Sequence, residues 1–223
     1  MPLYDNSKQQ VVASAQLLVE KGVFKGTGGN LSVRVEGQPA FAITPSSLDY
    51  TLMTPDDICV LDWQTNILEG QHKPSIESSL HAAVYQNRPD VNAVIHTHQL
   101  YASTLAIINS PIPALYDEQV RFLGRAVEII PYAPSGTPFL KNKVKAKIRN
   151  GYNTYILQNH GALVLGVTTE RAIDNIQLLE KCAMAYLLAL CTERKITRVP
   201  LAIREIAFAK LRADEKKYAK LNA

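Results

Sequence analysis

The segment VIHTHQL (residues 94–100) places His96 and His98 one residue apart at the end of an apolar run. In a strand, side chains two positions apart point to the same side. Both imidazoles would then share one face where the strand stops. Neutral imidazole nitrogens suit a divalent ion, but a pair is only half of a zinc shell. His160 is a third candidate, following the apolar TYILQ and preceding Gly161, so a second strand end carries an imidazole to the edge of a sheet. Glu77 is the fourth, in the first turn of the helix expected from KPSIESSLHAAVYQNRP. Three imidazoles and a carboxylate make a four-ligand zinc set. His81 lies four residues after Glu77 on the same helix face, which makes it a rival ligand. A packing or hydrogen-bonding role is the expectation for it, and a solvent-facing one for His72, which precedes Lys73 in a polar loop.

Three loops are suited to an anion. GTGGN (26–30) offers closely approaching backbone and the Asn30 side chain, TPSS (44–47) offers two hydroxyls on a turn, and KPSIE adds Ser75. N–H groups at a helix start favour a phosphate, as does the helix dipole. Three such loops beside one metal site favour a small phosphorylated ligand. A Schiff-base mechanism needs a lysine in a desolvated pocket, and Lys21, Lys25, Lys73 and Lys181 all fall in polar contexts.

These residues must be positioned by a scaffold. NSKQQVVASAQLLVEKG reads as a helix capped by Asn6 and stopped by Gly22; LSVRV and AFAIT read as a hairpin, and ICVLD and ILEG as another. VNAVIHTH is a buried strand and QLYASTLAII a helix. AVEIIPY and NTYILQNHG are short strands separated by the helical PFLKNKVKAKIRN. A long helix runs from TTERAID to LLALC with Thr169 as its cap, and the chain ends in a charged amphipathic helix. Strands with interspersed helices imply an α/β layered fold on a central sheet. The hairpin-rich first half makes that sheet mixed or antiparallel. No repeat or linker divides the chain, so residues 1–223 are expected to form a single domain.

The bulk numbers agree. The chain is 47% hydrophobic and 20% charged with a formal charge of +4, which suits one globular core. The basic residues form no stripe with interleaved aromatics, so no nucleic-acid partner is expected. Cys59, Cys182 and Cys191 lack a CxxC spacing and read as reduced core residues. The amino terminus has no apolar signal core, and no segment approaches the roughly 18 apolar residues of a membrane span. A cytoplasmic protein without membrane partners is the expectation.

Taken together, GTGGNLSVR, ITPSS, KPSIESSLHAAVYQNRPDVNAVIHTH and ILQNHGALVLG closely resemble the class II aldolase/adducin family, in order and across most of the chain. The family includes fuculose-phosphate aldolase, ribulose-phosphate 4-epimerase, methylthioribulose-phosphate dehydratase and related decarboxylases. The resemblance implies that His96, His98 and His160 hold one zinc ion per subunit. Glu77 would be the acid/base carboxylate, able to coordinate the resting metal and swing off when substrate arrives. Gly29, Asn30, Ser46, Ser47 and Ser75 match the phosphate-cradle positions. Tyr116 aligns with an aldolase tyrosine that reaches a neighbouring subunit's site and protonates the aldehyde oxygen, and Tyr218 stands where a second, carboxy-terminal tyrosine is expected.

By the same resemblance the protein would be a homotetramer with active sites at subunit interfaces. Its reaction would be cleavage of a ketose 1-phosphate of the fuculose 1-phosphate type into dihydroxyacetone phosphate and an aldehyde. Glu at position 77 disfavours the 4-epimerases, which usually carry Asp there. Two departures stand out. Ile76 replaces a second serine, and Ser47 stands where a glycine usually lies; both are compatible with an altered substrate, including one without phosphate. A sugar-acid phosphate decarboxylase, a methylthioribulose-phosphate dehydratase and a pentulose-phosphate 4-epimerase are the alternatives on the same scaffold. A non-catalytic adducin-like scaffold is the alternative of a different class.

Overall fold

The structure, a computed structural model, describes residues 3–221, with side chains through position 218. The elements in chain order are α1 (Asp5–Glu20), β1 (Asn30–Arg34), β2 (Ala40–Ile43), β3 (Cys59–Asp62), β4 (Ile67–Glu69), α2 (Ser78–Asn87), β5 (Ala93–Thr97), α3 (Leu100–Ile107) and α4 (Asp117–Phe122). They continue with β6 (Glu128–Ile130), α5 (Pro138–Lys147), β7 (Thr154–Leu157), β8 (Gly161–Gly166), α6 (Thr169–Leu190) and α7 (Leu201–Leu221). The strands form one eight-stranded sheet in the order β4-β3-β2-β1-β5-β8-β7-β6. Every pairing is antiparallel except β6–β7, so the expected mixed sheet is what the chain adopts.

Strand alternation divides the apolar residues into two cores, one on each face of the sheet. Leu31, Val33, Ala93 and Ile95 pack with α1, α3 and α6, whereas Val94 packs with α2, α5 and α7. This parity also sorts the polar residues. Asn30 and Ser32 alternate with Leu31 and Val33, and His96 follows Val94 by two, so all three project to the α2 side of the sheet. The β1–β5 register sets Asn30 opposite His96 and Ser32 opposite Val94.

Helix starts differ from the sequence reading by a residue or more. Asn6 does not cap α1, which begins at Asp5 after Tyr4, with no side-chain cap; the acidic Asp5 complements the helix dipole there instead. Thr168, not Thr169, caps α6 by accepting the Arg171 N–H at 3.1 Å. Helix α2 begins only at Ser78, because Pro74 bridges to Pro45 and the following turn closes from Ser78 N–H to the Ser75 carbonyl. Glu77 therefore sits in the cap position rather than the first turn. Strand β8 and the short α4 went unread in the sequence. GALVLG is buried at every position, so it shows no alternation. Cys59 and Cys182 are buried as expected, but Cys191 follows α6 and is exposed.

A buried ionic cluster ties the tail to the sheet. Arg88 grips Asp90 with two hydrogen bonds of 2.9 and 2.8 Å and donates to the Tyr152 carbonyl at 2.7 Å. Arg212 of α7 reaches the same Asp90 carboxylate at 2.8 Å and pairs with Glu215, which accepts from Asn153.

Candidate active site and metal centre

The antiparallel β5–β8 pair brings the imidazoles together. His96 is fully buried, and its Nδ1 lies 2.9 Å from the Ala162 carbonyl on β8. A carbonyl only accepts, so Nδ1 carries the proton and the Nε2 lone pair faces the centre. His98 follows β5 and places its Nε2 2.8 Å from His96 Nε2. His160 arrives through a turn closed by its own N–H to the Leu157 carbonyl at 3.0 Å, with Asn159 in the left-handed region that asparagine tolerates. One ligand nitrogen from each of His96, His98 and His160 lies within 4.8 Å of the other two. His96 is buried, His160 half-buried and His98 exposed, so the cluster opens to water on the His98 side. Two glycines make the approach possible. A Cβ on Gly161 would stand 2.4 Å from the Thr97 carbonyl oxygen and 2.6 Å from His98 Cδ2. One on Gly29 would meet Phe24 at 2.7 Å and the His96 carbonyl at 2.8 Å.

Glu77 lies against this cluster with both oxygens held. Oε2 accepts from Asn30 Nδ2 at 2.8 Å and stands 3.3 Å from His96 Nε2. Oε1 accepts from Ser135 Oγ at 2.7 Å and stands 3.5 Å from His160 Nε2. Burial favours the neutral acid, but the His96 imidazole, the Ser135 and Asn30 donors and His160 outweigh it and hold the carboxyl below the usual range. Burial also pushes His96 down to about 4 and lowers His98, so both are neutral bases near pH 7. One proton can bridge one pair of facing nitrogens. A cation at the centre serves all three, and a bound zinc would need the nitrogens roughly 3–4 Å apart. The donor set therefore fits a divalent ion.

The remaining sequence candidates divide. Ser46 and Ser75 lie on segments joined by the Pro45–Pro74 bridge and by Ser46 N–H to the Lys73 carbonyl at 2.8 Å. Ser46 and Ser47 Oγ are 3.5 Å apart, while Ser75 Oγ accepts the Glu77 N–H at 3.3 Å. Gly29 offers its carbonyl to Tyr50 OH at 2.6 Å. Asn30 is only 6% exposed and both ends of its amide are committed, Nδ2 to Glu77 and Oδ1 to His81. Its side chain thus serves the carboxylate rather than an open anion pocket. Tyr116 is exposed at the start of α4, beside Lys181, and opens onto a groove lined by Ala185, Ala189 and Thr192. Tyr218 lies half-exposed on α7. His81 is fully buried and hydrogen-bonded, as expected, and His72 pairs with Asp57 at 2.9 Å rather than facing water alone.

Sequence reasoning missed Ser135. It sits in the turn APSGTP, 58 residues from the carboxylate it holds, and nothing in its local spacing connects the two. Gly136 beside it has φ +71, and a Cβ there would come 3.2 Å from the Ile76 carbonyl, so the turn is fitted closely against the Glu77 segment.

The family model described as class II aldolase and adducin N-terminal domain matches residues 9–187. The chain belongs to the class II aldolase/adducin family. Among family members it is 34% identical over 182 residues to L-fuculose phosphate aldolase of Escherichia coli, covering 82% of this chain and 83% of that one. It is 32% identical over 184 residues to 5-deoxy-D-ribulose 1-phosphate aldolase of Bacillus thuringiensis, covering 82% and 85%. A solved structure of L-fuculose 1-phosphate aldolase superimposes with a TM-score of 0.86 at 34% identity, covering 93% of this chain and 96% of that one. These class II relatives are aldolases, which supports an enzymatic role for this chain.

Proposed function

We propose that this family member is a zinc-dependent aldolase that cleaves a ketose 1-phosphate into dihydroxyacetone phosphate and an aldehyde. The observation that carries the reading is the placement of a carboxylate, Glu77, 3.3 and 3.5 Å from two of three converging imidazoles. An ion held by His96, His98 and His160 would supply Lewis acidity to the carbonyl and adjacent hydroxyl oxygens of the substrate. Ser46, Ser47 and Ser75 would hold the phosphate, with the Gly29 backbone beside them. In cleavage, the bond between the third and fourth carbons breaks and the fourth-carbon hydroxyl becomes the aldehyde. Glu77 handles the proton of the third carbon: its carboxylate removes that proton in the condensation direction and, after taking a proton from solvent, returns it in cleavage, a role typically worth about 10²–10⁴-fold. Tyr116, donated by a neighbouring subunit, exchanges the proton of the aldehyde oxygen, and Tyr218 lines the aldehyde side. A homotetramer follows if Tyr116 acts across an interface, and the cytoplasm is the proposed location.

The names of the relatives support a 1-phosphorylated ketose, with fuculose 1-phosphate and 5-deoxyribulose 1-phosphate as the two leading candidates. A second reading, decarboxylation of a sugar-acid phosphate, is favoured by one observation: Ile76, bulky and 59% exposed, occupies the position next to Glu77 where the aldolase pattern carries a serine. The test is a substrate screen with and without phosphate, reading dihydroxyacetone phosphate, carbon dioxide, dehydration and epimer formation in parallel. Dihydroxyacetone phosphate from a ketose 1-phosphate is the expected product. Carbon dioxide alone would select the second reading.

A further inference from the structure

Behind Glu77 lies a chain of buried polar groups that the proposed reaction does not use. His81 Nε2 is 2.5 Å from Asn30 Oδ1, His81 Nδ1 is 2.6 Å from Ser32 Oγ, and Ser32 Oγ is 2.8 Å from Tyr85 OH. Ser32, His81 and Tyr85 are at most 2% exposed and Asn30 6%. Burying four polar side chains in succession is costly unless each is satisfied, and here each is.

The direction of every bond follows from one fixed end. A carboxylate must receive a donor, so Asn30 turns Nδ2 to Glu77 and Oδ1 to His81. Oδ1 accepts only, so His81 carries its proton on Nε2. Burial pushes His81 down to about 3, so the ring is neutral and Nδ1 is an acceptor. Ser32 then donates to Nδ1 and accepts from Tyr85. Four donors point the same way and end at Glu77 Oε2.

We infer that His81 is a positioning residue: through Asn30 it fixes the orientation of the Glu77 side chain. The inference rests on the acid/base role of Glu77. It also accounts for a histidine with ligand-like spacing that stands outside the imidazole cluster: both its nitrogens are engaged on the far side of Asn30.

Two substitutions and one spectrum test this. Glu77→Gln is the control for the underlying reading; turnover unchanged in that variant removes the acid/base role itself. His81→Gln preserves a donor near Nε2, whereas His81→Asn shortens the side chain and leaves Asn30 Oδ1 without one. With Glu77→Gln inactive, His81→Asn is expected to lower kcat about 10- to 100-fold. KM should stay within a few-fold and the ion content unchanged, with exchange of the dihydroxyacetone phosphate carbon-bound proton falling in step with kcat. His81→Gln should recover most of that loss. On metal-stripped protein, ¹⁵N-histidine spectra should show His81 as the Nε2–H tautomer. An Nδ1–H tautomer, a kcat unchanged in His81→Asn, or equal losses in both variants with ion content falling alongside would each overturn the inference.

Discussion

Two polar clusters lie on the same side of the sheet and are built on opposite principles. Around Arg88, charges are matched: two guanidinium groups face two carboxylates, and carbonyls take up the remaining donors. Around His96 three imidazole nitrogens converge, with one carboxylate against them. The first cluster is complete in itself and fastens α7 to the sheet. The second is held from outside by Asn30, Ser135 and the Ala162 carbonyl, while one nitrogen of each of its three imidazoles turns towards the other two. Burial alone does not separate a scaffold from a site; what separates them is whether the donors and acceptors close on each other or on a point between them.

Breaking each cluster should give opposite phenotypes. Glu77→Gln should reduce turnover by about 10²–10⁴-fold while the protein keeps its ion, read by product release and elemental analysis. Arg88→Ala should leave Asp90 and Glu215 without their central cation and cost about 3–5 kcal/mol of stability in urea unfolding. The fraction that remains folded should turn over normally. A turnover loss in Arg88→Ala, or a large stability loss in Glu77→Gln, would collapse the distinction.

Within the ionic cluster, Asp90 should also contribute to acid stability. Burial raises the Asp90 carboxyl, but the Arg88 and Arg212 guanidiniums outweigh it, so its folded value lies below the unfolded one. Stabilisation from a depressed carboxylate is present above the unfolded pKa and is lost as pH falls through the folded one. Unfolding free energy should therefore drop below about pH 4, and Asp90→Asn should flatten that drop. An unchanged slope would assign acid sensitivity to other groups.

The smallest effect is expected at the site's rim. Ser47 adopts φ +62, a left-handed conformation that suits glycine. Ser47→Gly should relieve about 1–2 kcal/mol of strain against about 0.5–1 kcal/mol of added unfolded-state entropy. A net gain of roughly 0.5 kcal/mol in urea unfolding is the expectation. Destabilisation would show that the Ser47 hydroxyl makes a contact worth more than the strain.

The sequence was most informative where a period or a spacing carries physical content. Strand parity turns His96 to the α2 side, and His98, one residue past the end of β5, still sets its Nε2 2.8 Å from that of His96; alternation likewise foretold the hairpins and, through them, the mixed sheet. Glu77, His98 and His160 were found by residue type and placed by the fold 21 or more positions apart. What was hidden was long-range. Ser135 holds Glu77 from a turn with no motif of its own, and Asn30, legible as an anion donor, was claimed instead by Glu77 and His81 once β1 paired with β5. Tail residues such as Arg212 pair with Asp90 across 122 positions, a contact that no local pattern records.

The central claim is that His96, His98 and His160 hold one cation between them, and elemental analysis of the natively purified protein tests it most directly. About one divalent ion per chain is expected, falling to near zero in His98→Ala, whose exposed side chain can be removed with the fold intact. Ion-free protein with full turnover, or an unchanged ion content in His98→Ala, would contradict it.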